Sequence, residues 1–153
     1  MKLLAIELGL VITKYKEKLK HIDETDFSFK LAPNKWSKKE ELGHLIDSAL
    51  SNHRRFMVAQ YEANPKITYR QNDWVIAANY QHQRSSDLIL LWTMINKQIC
   101  EVLKKMPVTA EDRKCDTGDD GAELHSLKWL AQDYINHMKH HLHHILELEA
   151  VPY

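Results

Sequence analysis

The stretch from Leu127 to Glu149, LKWLAQDYINHMKHHLHHILELE, constrains the chain more than any other. Leu127, Leu130, Ala131, Tyr134, Met138, Leu142, Ile145 and Leu148 recur three and four residues apart, the spacing of one face of a helix. The pattern predicts a single long helix. Such a helix must bury its stripe against other elements. His137 and His141 are four apart and point the same way from that helix. His141 falls inside the apolar arc and His137 on its margin. A histidine in an apolar stripe needs a hydrogen-bond partner or a metal for its ring nitrogens. The H-x-x-x-H pair is a two-point chelate, so a metal site would need a third ligand from elsewhere. His140, His143 and His144 read as solvated surface. The run is not a purification tag, because core residues interleave it.

Only four glycines and four prolines punctuate 153 residues, and they fall between long periodic segments. That profile predicts an all-α, single-domain helix bundle. Helix one is expected from about Lys2 to His21, with Leu4, Leu8, Val11, Tyr15, Leu19 and Ile22 as its stripe. Phe27 to Lys35 reads as extended. Ser37 and Glu40 form a capping box that opens helix two, which runs from Lys38 to about Ala63. Its stripe is Leu42, Leu45, Ile46, Ala49, Phe56 and Met57, with His53 as a core histidine that should have a hydrogen-bond partner. By periodicity alone His44 lies on the opposite side, at the surface. Helix three is expected from a Ser85 or Ser86 cap to Lys105, burying Leu88, Leu91, Trp92, Ile95, Ile99 and Val102. Between helices two and three, the 66–80 connection carries Tyr69 and Trp74. Its length makes these candidate pocket-wall residues. The 108–125 segment reads as a polar loop, with no sheet beyond incidental bridges. It fails as an EF-hand, since Gly118 and Leu127 occupy positions that need oxygen ligands.

The 21 basic and 21 acidic residues balance, which gives no electrostatic case for a nucleic-acid or membrane partner. Two cysteines make no disulfide framework and suit a reducing cytoplasm. Met1 to Ile12 is too short and too interrupted to span a bilayer. No glycine-rich phosphate cradle, H-E-x-x-H or G-x-S-x-G motif occurs.

The segments PNKWSKKE, LGHLIDS and YINHMKHHLHHI, in that order, resemble the DinB superfamily of DinB/YfiT-like metal-dependent hydrolases. The resemblance covers essentially the whole chain. It implies an up-down four-helix bundle, a homodimer, and three histidines holding a divalent metal. Carried over position by position, those ligands are His44, His137 and His141. A groove on the flank of helix two, next to helix four, would reconcile a ligand at His44 with its off-core position. Three neutral imidazoles suit zinc or nickel, and also iron or manganese, and leave coordination positions open. Each ligand needs its second ring nitrogen held by an acceptor. Asp133, one turn before His137, and Asp47, at a family-matched position, are the candidates. The function so implied is hydrolysis, or thiol transfer from a low-molecular-weight thiol, on a small-molecule electrophile. The alternative is a non-enzymatic, stress-linked bundle whose metal is structural or adventitious. A concave pocket at the three histidines would favour the enzyme.

Overall fold

The computed structural model describes residues 1–149. Four long helices carry the fold: α1 (Lys2–Leu19), α3 (Lys38–Val58), α5 (Ser85–Lys105) and α6 (Leu127–Ile145). Two short helices, α2 (Glu24–Ser28) and α4 (Gln71–Ala78), sit in the connections. Both α1 and α3 pack on α5 and on α6, so the ring runs α1, α5, α3, α6. Successive helices α1 and α3 therefore lie across a diagonal. The connections before α3 and after α5 are long enough to cross an end of the bundle, where short loops would have forced neighbours.

Each long helix buries an apolar stripe, and α3 is buried on further sides as well. Leu8, Val11, Tyr15 and Leu19 of α1 meet Leu88, Trp92, Ile99 and Leu103 of α5 in one contiguous core with Leu42, Leu45, Ile46, Ala49 and Phe56 of α3. From α6 come Leu127, Leu130, Ala131, Tyr134, Ile135, Met138, Leu142 and Ile145. Among these apolar groups the Tyr134 hydroxyl donates to Asn96 Oδ1 at 2.5 Å, which satisfies a phenol that is otherwise sealed from water. Three stripe residues lie outside the core: Met57, Leu91 and Leu148 are 44%, 46% and 39% exposed. Met57 and Leu91 lie at stripe edges that no neighbouring helix covers. Leu148 lies beyond the end of its helix.

The ends of the helices follow local chemistry. Ser37 accepts from the Glu40 amide at 3.1 Å and Glu40 accepts from the Ser37 amide at 2.9 Å, the expected capping box. Ser126 caps α6 through the Trp129 amide. The cap residue of α5 is Arg84, without a side-chain cap bond, so neither Ser85 nor Ser86 serves as cap. Helix α6 stops at Ile145, short of Glu149, because Glu147 turns left-handed at φ 53°. The Glu147 amide then bonds His144 O and the Leu148 amide bonds His143 O, which closes a Schellman motif. Helix α3 ends at Val58, five residues before Ala63.

The connections hold more structure than their sequences suggest. Asp23 caps α2, within a region expected to be partly extended. The 108–125 loop contains a two-stranded antiparallel ribbon, β1 (Lys114–Asp116) with β2 (Leu124–Ser126). Asp116 Oδ1 accepts from the Gly118 and Glu123 amides and so closes the turn between them. β1 also bridges to Lys66, which ties this loop to the connection before α4.

Gly43 of α3 faces the Tyr80 ring. A Cβ there would sit 2.1 Å from Tyr80 Cδ2 and 2.4 Å from Cγ. In an exposed helix Gly→Ala gains about 1 kcal/mol. Here the ring is buried, and its hydroxyl donates to Asp47 at 2.6 Å, so it cannot step aside without losing both. Overpacking of this kind costs ~1–3 kcal/mol. Gly43→Ala is therefore expected to be a net loss of up to ~2 kcal/mol in urea denaturation, and a gain in stability would contradict the packing.

Candidate metal centre

Helices α3 and α6 pack side by side, and this brings together residues nearly a hundred positions apart. His44 leaves α3 toward α6. His137 and His141, one turn apart on α6, face it. His44 Nε2 lies 3.2 Å from His137 Nε2. The ring of His141 is centred 4.8 Å from that of His44 and 4.5 Å from that of His137. One ring nitrogen from each residue falls within 4.8 Å of the other two. His44 is 1% exposed, which overturns the surface position that periodicity assigns it. The side of α3 away from the core stripe is itself covered, by Trp36, Tyr69 and α6.

Burial sets the protonation of two rings. Desolvation, then the neighbouring His141, pushes His44 down to about 4, with Glu41 opposing. Desolvation, then His141, His44 and His140, pushes His137 down to about 3. Both are neutral at pH 7, the form in which an imidazole can act as a ligand.

Glu41, one turn before His44, is a carboxylate that meets the cluster. His141 Nδ1–H donates to its Oε1 at 2.8 Å and His144 Nδ1–H to its Oε2 at 2.6 Å. Asp47 does something else, because its Oδ1 accepts from Tyr80 and its Oδ2 is buried without a partner. Asp133 is half-buried one turn before His137. His44 Nδ1 is buried and unpartnered. His53 departs from its expected role, since its buried Nε2 has no hydrogen-bond partner. His143 ties α6 to α1 by accepting from the Tyr15 hydroxyl at 2.6 Å.

Aromatic rings wall the cluster. Trp36 lies 5.2 Å from His44 and Tyr69 lies 6.4 Å from it in a stacked orientation. Trp74 leans on Tyr69 at 5.3 Å. Arg55 holds this wall in place by donating twice to the Ile67 carbonyl, two residues before Tyr69. Desolvation pushes the Tyr69 phenol up to about 12. Beside the wall opens a groove of about 850 Å³, reached by Trp36, Glu41, Gln71, Asn72, His143 and His144. Tyr69 borders a smaller polar cleft of about 380 Å³ that shares Gln71 and Asn72 with the groove. Trp74 lines neither.

The sequence model of the DinB superfamily matches residues 10–145. The chain belongs to the DinB superfamily. A DinB relative from Halalkalibacterium halodurans, named as a candidate metal-dependent hydrolase, is 27% identical over 125 residues, covering 81% of this chain and 71% of its own. The solved structure of YfiT from Bacillus subtilis, described as a candidate metal-dependent hydrolase with an unusual four-helix bundle topology, superposes with a TM-score of 0.84 at 21% identity. That match covers 94% of this chain and 82% of YfiT. A mycothiol-dependent maleylpyruvate isomerase shares the fold at a TM-score of 0.71 and 15% identity, over 97% of this chain and 60% of its own. The DinB/YfiT bundle is thus the fold of this chain. Among the described residues no helix is long and apolar enough to cross a membrane.

Proposed function

We propose that His44, His137 and His141 hold a divalent metal ion, and that the chain catalyses a metal-dependent reaction of a small electrophile with a low-molecular-weight thiol or water. The observation that carries this reading is the convergence of three imidazoles from two helices. Two ligand nitrogens about 2.05 Å from a tetrahedral metal are about 3.3 Å apart. The 3.2 Å between His44 and His137 fits, and a side-chain adjustment brings His141 to the same point. The neutral state of His44 and His137 suits ligation. Three imidazoles admit zinc, nickel, iron or manganese.

When bound, the ion supplies Lewis acidity that makes a thiol or water a better nucleophile near neutral pH. The chain's own residues do the rest. Trp36 and Tyr69 shield His44 from bulk water, and the adjoining groove admits a small molecule. The groove is lined by Glu41, which bonds His141, and by none of the three histidines themselves, so access from the groove to the cluster is part of the proposal. The names of the Halalkalibacterium and Bacillus relatives support metal dependence. The thiol dependence of the isomerase with this fold supports a thiol as second reactant.

A cytoplasmic homodimer is part of the proposal. Leu3, Ile6 and Leu10 of α1 and Leu91 and Met94 of α5 are exposed on helices that pack together, and these apolar stripes would be covered by a second copy. A single 18.0 kDa species in sedimentation would remove that part. The reaction is tested with a panel of electrophiles against glutathione, cysteine, bacillithiol, mycothiol and water, with zinc, nickel or manganese added. Turnover should vanish with a chelator and in His44→Ala. Turnover that survives either treatment would rule the mechanism out.

A further inference from the structure

We propose that Glu41 is a shared positioning carboxylate, and that His144, held by it, is the acid–base arm of the groove. The part of this that concerns His141 rests on the metal-centre reading above; the part that concerns His144 does not.

The Glu41 side chain is buried, and both its oxygens are engaged by ring N–H groups. The two rings lead in different directions. His141 belongs to the three-histidine cluster. His144 has a side chain 77% exposed and lines the groove together with Glu41. A ring whose Nδ1–H is held by a carboxylate presents its lone pair at Nε2. One carboxylate therefore fixes two tautomers. It aims Nε2 of His141 at the cluster and leaves Nε2 of His144 free toward the groove.

An exposed histidine would normally rotate freely, and a buried acceptor at 2.6 Å removes that freedom. Carboxylate, imidazole and an open Nε2 beside a cavity is the arrangement that acid–base catalysis requires. Lys38 and His143, which also line the groove, are engaged away from Glu41. Lys38 is paired with Asp26 and Glu147, and His143 is bound to Tyr15 and to the Glu149 carbonyl. A thiol or water entering the groove would pass its proton to His144 Nε2 as it attacks. The imidazolium then sits against the Glu41 carboxylate. The same proton returns to the departing atom, which leaves no net change in the protein. His144 does this from outside the cluster, so it need not be a ligand.

The test uses the full chain without metal, and then with zinc. Long-range proton–nitrogen NMR of histidine-labelled protein should show Nδ1–H with a bare Nε2 at both His141 and His144, and Glu41→Gln should shift His144 toward the Nε2–H form. Diethyl pyrocarbonate should acylate His144 at Nε2 faster than the other exposed histidines, releasing carbon dioxide and ethanol. Glu41→Gln should cut that rate to the level of the others. Zinc affinity, read by chelator competition, should fall 10–100-fold in Glu41→Gln, the usual cost of losing such an outer partner. It should stay within threefold in His144→Ala. An Nε2–H tautomer at His144, or ordinary reactivity there, overturns the acid–base arm. Unchanged zinc affinity in Glu41→Gln, with unchanged melting temperature, overturns the positioning role. Wild type that binds no zinc overturns that role together with the metal reading, and leaves the His144 results to stand on their own.

Discussion

Alanine at His44, His137 or His141 is expected to lower divalent-metal affinity by ~10²–10³-fold. Structural zinc in four-ligand sites is bound by about 10–16 kcal/mol, or ~3 kcal/mol per ligand, so losing one of three imidazoles is severe. The three replacements should not behave alike in stability. His44 is the most buried and its Nδ1 is unpartnered, so its removal relieves an orphaned polar atom while opening a small void. His141 leaves Glu41 with one partner fewer. His143→Ala serves as the control. It breaks the Tyr15 contact between α6 and α1 but leaves the cluster intact, so metal content should hold while the melting temperature drops slightly. The protein for this measurement must never meet nickel resin, because its ten histidines can carry nickel from a column. Equal metal content in wild type and in the triple-alanine variant would refute the assignment.

Asp47→Asn is expected to stabilise the metal-free protein by as much as ~3 kcal/mol above pH 7, and by much less near pH 4. Desolvation pushes the Asp47 carboxyl from 3.8 up to about 6, with the Tyr80 hydroxyl opposing. Between those values the folded chain holds a proton that the unfolded chain has lost. Stability therefore falls as pH rises from 3.8 through about 6, and the whole penalty is present above that. At about 1.4 kcal/mol per pH unit the gap amounts to ~3 kcal/mol. Asparagine cannot ionise, and its Oδ1 can still accept from Tyr80. Denaturant titrations of both proteins at pH 4 and pH 7.5, in chelator, measure the difference. An equal difference at the two pH values would show that Asp47 ionises in the folded chain as easily as in the unfolded one.

Most of the bundle was legible in the sequence because its determinants are local. The Ser37–Glu40 box and the Ser126 cap each span four residues, and the chain reads them within a single turn. The buried stripes of α1, α3, α5 and α6 follow from 3.6-residue periodicity, whatever they pack against. The errors mark where local information ends. Nothing near Glu147 announces a left-handed stop, since the usual glycine is absent, so periodicity alone carries α6 four residues too far, to Glu149. The stripe on α5 includes Leu91 by spacing, but only the width of the neighbouring helices leaves it in solvent.

The candidate site divides the same way. His137 and His141 form a pair by helix geometry alone. His44 does not join them on a helical wheel, because the wheel knows one core and α3 is covered on more than one side. Resemblance to the DinB superfamily supplied that residue, and its 1% exposure confirms the burial. Nothing local marks Glu41 as a partner of the cluster, because its bonds reach 100 and 103 residues along the chain. His144, expected as solvated surface, takes its role from the same contact. Which residues form helices, and which faces they bury, is settled by neighbours within a turn or two. Which nitrogen meets which carboxylate is settled by how α3 and α6 lie against each other. That depends on the packing of the whole core, a sum of many weak contacts that no short stretch of sequence contains.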